Sequence, residues 1–147
     1  MYHRILVPTD GSELSGRAVT GAIEHAAALG CELIALYVVP VYPTSYFEGR
    51  PSLPIEEVTR AERQWADDGQ AVVDAVVMSA QARGVKAIGV LGRSDLVAET
   101  VLATAAKHDC DLIVMASHGR KGIGRVLLGS ETQYVLTHSK LPVLVLR

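Results

Sequence analysis

The sequence predicts an α/β fold with a parallel sheet, and three observations carry that prediction. Apolar runs without regular polar alternation recur at 2–7, 31–39, 85–91, 110–116 and 142–146, as in strands covered on both faces. Segments whose apolar residues step by three and four separate them, the period of amphipathic helices. The two kinds of segment alternate from end to end, which implies right-handed crossovers and a sheet layered between helices. The expected architecture is one three-layer α/β/α domain over residues 1–147, its five parallel strands in the order 3-2-1-4-5.

The first strand, 2–7, ends at Pro8, and Thr9-Asp10-Gly11-Ser12 turn the chain into a helix over 13–29, with Asp10 or Ser12 as its cap. Ala18, Ala22, Ala26 and Leu29 form a small-residue stripe on that helix, with Val19 and Ile23 beside it, and Gly30 stops it. Strand two is 31–39. From Pro40 to Pro54, prolines, Gly49 and aromatics without helical period predict a loop that begins at the C-terminal end of strand two, either as a solvated linker or as a flap over the site. A long helix follows over 55–83, with Val58, Ala61, Trp65, Gly69, Val72, Val76 and Ala80 facing the core and Gly69 weakening its middle by about 1 kcal/mol relative to Ala. Strand three is 85–91, after which Gly92-Arg93-Ser94-Asp95 lead to a helix over 95–108 with Val97, Val101 and Ala105 inward. Strand four is 110–116, the last helix runs from Ser130 to Ser139, and 142–146 is the fifth strand.

Composition narrows the function classes. Charged residues are 20% and hydrophobic ones 49% of 147, an ordinary globular balance. A net charge of −2 and a pI near 6.2 give no reason to expect nucleic acid as a partner. Cys31 and Cys110 each open an apolar run and read as buried thiols. With no run approaching the roughly 20 apolar residues of a membrane span and no secretory pattern, a cytoplasmic protein is expected. His3, His25, His108 and His138 lack metal-ligand spacing.

The informative stretch is 112–130. A buried strand, a loop with Gly119, Gly122 and Gly124 interleaved with Arg120, Lys121 and Arg125, and a helix start at Gly129-Ser130 together suit an anion. Glycines let backbone N–H groups turn toward phosphate, and a helix N-terminus offers unpaired donors and a positive dipole end. Gly119 and Gly124 have Walker A separation, but Arg125-Val126 replace the required Lys-Ser/Thr. The dinucleotide fingerprint fails too, because these glycines follow a late strand in the wrong order. Ser130 with Gln133 also has capping-box spacing, so the hydroxyl serves the helix, the anion or both. His118 reads as a loop hydrogen-bonder. With strand order 3-2-1-4-5, the switch between strands one and four brings Pro8-Thr9-Asp10 beside Ser117–Lys121 in one crevice. There Asp10 is either a helix cap or a contact to ribose, base or metal.

Ile5–Ser12, the Gly119…Gly129-Ser130 spacing and Pro142–Leu146 together resemble the universal stress protein family over the whole chain. Its glycine-loop branch carries Gly-x2-Gly-x9-Gly-Ser/Thr; Ala116 stands here at the first glycine, and Gly119, Gly129 and Ser130 match the rest. The resemblance implies an adenine-nucleotide α-hydrolase-like fold that binds ATP or another adenine nucleotide with Mg²⁺ or Mn²⁺. By analogy Ala116, Ser117, His118, Gly119, Arg120, Lys121 and Gly122 meet ribose and phosphates. Gly129, Ser130, Glu131 and Thr132 hold the phosphate tail, and Pro8, Thr9, Asp10 and Val38 frame the adenine. It also implies a homodimer through Val143–Leu146, with an unidentified regulatory partner. Two further departures stand out. Asp95-Leu96-Val97 replaces a Gly-x-Pro turn, and Glu131 places a carboxylate beside the phosphate, where it either repels a triphosphate or helps, like Asp10, to hold Mg²⁺. The expected function is a nucleotide-dependent stress-response regulator. A nucleotide-free scaffold and a weak ATPase or phosphotransfer enzyme are the alternatives; with no nucleophile–base pair in view, dedicated catalysis is not expected.

Overall fold

The computed structural model describes residues 1–42, 54–119 and 128–147. Its strands are β1 (Arg4–Pro8), β2 (Glu32–Val39), β3 (Ala87–Arg93), β4 (Leu112–Ala116) and β5 (Val143–Leu146), and its helices α1 (Glu13–Leu29), α2 (Ile55–Ala82), α3 (Val97–Lys107) and α4 (Ser130–His138). Every strand pairing is parallel and the order is β3-β2-β1-β4-β5, as predicted. Among the described residues no helix is long and apolar enough to cross a membrane.

The central strands are apolar on both faces because each face is covered. Ile5, Val7, Leu33 and Val114 pack with Ala22, Ala26, Val73 and Val76 of α1 and α2. On the other face Leu6, Ile34, Leu36 and Ile113 pack with Val101, Ala105 and Val135 of α3 and α4. Full burial of each such aliphatic side chain favours folding by about 1.5–3 kcal/mol. The alanine stripe of α1 is buried as expected, but Leu29 is exposed where Gly30, at φ 68°, turns the helix off the sheet. Gly21 permits the close approach, since a Cβ there would collide with Leu146 Cδ1.

Two expectations change. The buried stripe of α2 is Gly69, Val73, Val76 and Ala80, while Val58, Ala61, Trp65 and Val72 are half-buried. A 28-residue helix is about 42 Å long and overruns an eight-residue strand of about 26 Å. Its first turns therefore leave the sheet, and Trp65 stacks on Tyr42 at 5.8 Å instead of entering the core. Gly69 has a packing reason: a Cβ there would meet the Tyr37 ring at 2.6 Å. Strand three lies two residues later than predicted, because its register with β2 runs from Leu33–Ala87 to Val39–Arg93 and draws in Gly92 and Arg93. Cys31 and Cys110 are buried free thiols, as read from the sequence.

Candidate functional site

The C-terminal ends of β1 and β4 and the N-termini of α3 and α4 surround a crevice of about 540 Å³. Its walls include Pro8, Thr9, Asp10, Val38, Ala116, His118, Gly119, Gly129, Ser130, Glu131 and Thr132, so eleven of the residues singled out from the sequence come together. Ser117 is buried just behind the wall. Arg120, Lys121 and Gly122 lie outside the described residues, as do 43–53 of the loop after β2.

The β1–α1 turn is fixed by its own side chains. Asp10 Oδ1 accepts the Ser12 N–H at 2.9 Å, and Ser12 accepts the Ser15 N–H at 3.2 Å. Ser12 is thus the cap of α1, and Asp10 shapes the turn before it. Gly11 takes φ 79°, a conformation that favours glycine. The buried hydroxyls of Thr9 and Ser15 pair at 2.9 Å. Across the crevice, a Cβ on Gly119 would stand 2.9 Å from Asp10 Oδ2, so glycine lets the two turns approach.

The β4–α4 connection is pinned at its two described ends. The Gly129 N–H donates to the Ser117 carbonyl at 2.7 Å, and the buried Thr132 hydroxyl donates to the Ala116 carbonyl at 2.9 Å. A Cβ on Gly129 would press on His118 Cα and the Ser117 carbonyl, both at 3.3 Å. Gly129, not Ser130, is the N-cap of α4, and no side-chain cap bond is made; Gln133 donates to the Leu128 carbonyl instead. The capping-box reading of Ser130 and Gln133 is therefore corrected. With a glycine in the capping position, no cap side chain covers the first turn of α4, whose Ser130, Glu131 and Thr132 line the crevice. His118 Nδ1 lies 3.0 Å from Ser117 Oγ.

Glu131 takes part in a contact that sequence spacing did not reveal. Its Oε2 accepts the Ala98 N–H at 2.9 Å and so caps α3, whose N-cap, Leu96, has no capping side chain. Asp95 accepts the Val41 N–H at 3.2 Å. The walls also hold Leu36, Val97, Val101, Met115 and Val135, an apolar floor the sequence reading had assigned only to the core, and Ser15 and Ser94. The signal for them was position: each lies near a C-terminal strand end or in the first turns of a helix. Among the described wall residues the carboxylates are Asp10, Asp95 and Glu131, and none is lysine or arginine. No group of three or more His, Cys, Asp or Glu among the described residues is placed to hold a metal ion. An apolar floor beside polar turns and two helix N-termini suits a ligand with a flat apolar part and an anionic part.

A profile of the universal stress protein family matches residues 1–147. A universal stress protein of Methanocaldococcus jannaschii is 34% identical over 154 residues, covering all of this chain and 83% of the relative. Universal stress protein UspA from Lactobacillus plantarum superposes with a TM-score of 0.86 at 26% identity, over 99% of this chain and 98% of that one. A universal stress protein in complex with cAMP is similar at a TM-score of 0.68 and 27% identity, over 99% of this chain and 97% of its own.

Proposed function

The chain belongs to the universal stress protein family, and from that premise we propose that it is a regulatory protein whose crevice binds an adenine nucleotide, ATP with Mg²⁺ being the ligand the sequence argues for. The observation that carries this reading is the convergence of Asp10, Gly119 and the N-terminus of α4 on one crevice with an apolar floor. The base would lie on Val38, Leu36 and Met115, with the phosphates at the N–H groups of residues 130–132. A related protein of this fold is known in complex with cAMP, which supports the same class of ligand here. Nucleotide occupancy would act by altering a surface that another protein reads.

Thermal unfolding with and without Mg²⁺–ATP tests the site. A ligand at about 100 times its dissociation constant adds about 2.7 kcal/mol and raises the midpoint by several degrees. The shift should vanish in Gly119→Val, whose side chain would collide with Asp10. Absence of a shift at millimolar ATP, in protein freed of nucleotide, rejects the reading and leaves the scaffold alternative.

The same reading includes a homodimer through β5. This strand is at one edge of the sheet, and all four of its apolar residues are half-buried in the single chain. Sedimentation velocity should return twice the 15.7 kDa chain mass; a monomer at micromolar concentration rejects the dimer.

A further inference from the structure

On the nucleotide reading of the crevice, we propose that Glu131 sets its selectivity by phosphate number, disfavouring a di- or triphosphate tail relative to a single phosphate. Glu131 is the second residue of α4, one place beyond Ser130, in the first turn that lines the crevice and whose N–H groups have no partner within the helix. Its carboxylate does not turn back onto its own helix. It reaches the second residue of α3 and accepts the Ala98 N–H at 2.9 Å. A bond of this kind to a backbone amide holds a carboxylate in place. A negative charge is thus fixed between two helix N-termini, on the wall shared by the main crevice and a side hollow of about 240 Å³. Among the described residues, the other charged groups lining the side hollow are Asp95 and Glu99, and Glu99 accepts the Tyr134 hydroxyl.

The physical consequence follows from charge. One phosphate at the start of α4 gains the helix N–H donors and dipole against a single fixed carboxylate. Each added phosphate brings more negative charge into the same short range, so repulsion from the Glu131 carboxylate grows with phosphate number. Glu131 is exposed, so the penalty is moderate and screened by salt.

Calorimetric titration of the whole protein with AMP and with ATP, both in the presence of EDTA, tests this. Glu131→Gln removes the charge while keeping an oxygen to accept the Ala98 N–H, so the cap and the fold survive. It should tighten ATP binding roughly fivefold, the size of one unit-charge contact in near-aqueous surroundings, and tighten AMP binding by a smaller factor. The gain should shrink in about 0.5 M salt. Glu131→Ala also removes the cap, and its lower melting temperature separates that structural role from selectivity. Equal effects of Glu131→Gln on both nucleotides, or weaker ATP binding, would overturn the proposal. Failure of the wild type to bind either nucleotide is a different result: it removes the nucleotide reading, and the selectivity with it.

Discussion

At the N-terminal end of the sheet, Arg4 donates to Glu32 at 2.7 and 2.9 Å and to the His108 carbonyl at 2.6 Å, while Lys86 meets the other Glu32 oxygen at 3.0 Å. Asp111 accepts the N–H groups of His3 and Arg4 and lies 3.2 Å from His3 Nδ1. At the C-terminal end, around the crevice, the carboxylates of Asp10, Asp95 and Glu131 accept backbone N–H groups from Ser12, Val41 and Ala98. The ion pair between Arg93 and Glu62, at the end of β3, stands outside the crevice walls. One end is therefore closed by charges that neutralise one another, and the other is shaped by backbone amides. In a parallel sheet with right-handed crossovers the helices begin at the C-terminal strand ends, so amide donors collect there. Among the described residues the crevice wall holds two helix N-termini and three carboxylates, and no lysine or arginine.

The first way to break this contrast uses Thr132. The family resemblance puts Thr132 among the residues around the phosphate tail, and its own hydroxyl is buried and donates to the Ala116 carbonyl. Thr132→Val should destabilise the protein by about 1–3 kcal/mol, the cost of leaving a buried carbonyl unpaired. Thr132→Ser should recover most of that in urea unfolding. A normal unfolding midpoint in Thr132→Val together with lost nucleotide response would return the hydroxyl to the ligand.

A smaller effect belongs to the opposite end. Burial raises the Asp111 pKa, but bonds from the Arg4 and His3 backbone and the His3 side chain outweigh it and hold it below its ordinary 3.8. Glu32 is likewise held low, by its bonds to Arg4 and then Lys86. A carboxylate whose folded pKa is depressed contributes stability above its unfolded value and loses it as pH falls. Asp111→Asn should therefore be less stable than wild type at pH 7, and the gap should close as pH falls below the ordinary aspartate value and through the depressed folded one. The nucleotide-induced shift in melting temperature should be unchanged at pH 7. Altered nucleotide binding in Asp111→Asn would show that the two ends are coupled and would sink the comparison.

The sequence by itself determined the five strands, the four helices and their order, because the period of apolar residues and the Gly and Pro breaks are local quantities. It also brought the turns after strands one and four into one crevice, on the condition of the strand order 3-2-1-4-5 that the sheet adopts. Tertiary packing decided what periodicity does not contain. Trp65 sits outside the core because α2 outruns the sheet, and Gly69 lies mid-helix because the Tyr37 ring occupies the space of its side chain. Partner choice was decided there too: Ser130 fits a capping pattern, yet Gly129 holds the cap position, its backbone extended at ψ 156° and its carbonyl accepting the Gln133 N–H. Glu131 shows the same limit across a longer separation. Its partner, Ala98, is 33 residues away, so the bond exists only because α3 and α4 start side by side at the same end of the sheet.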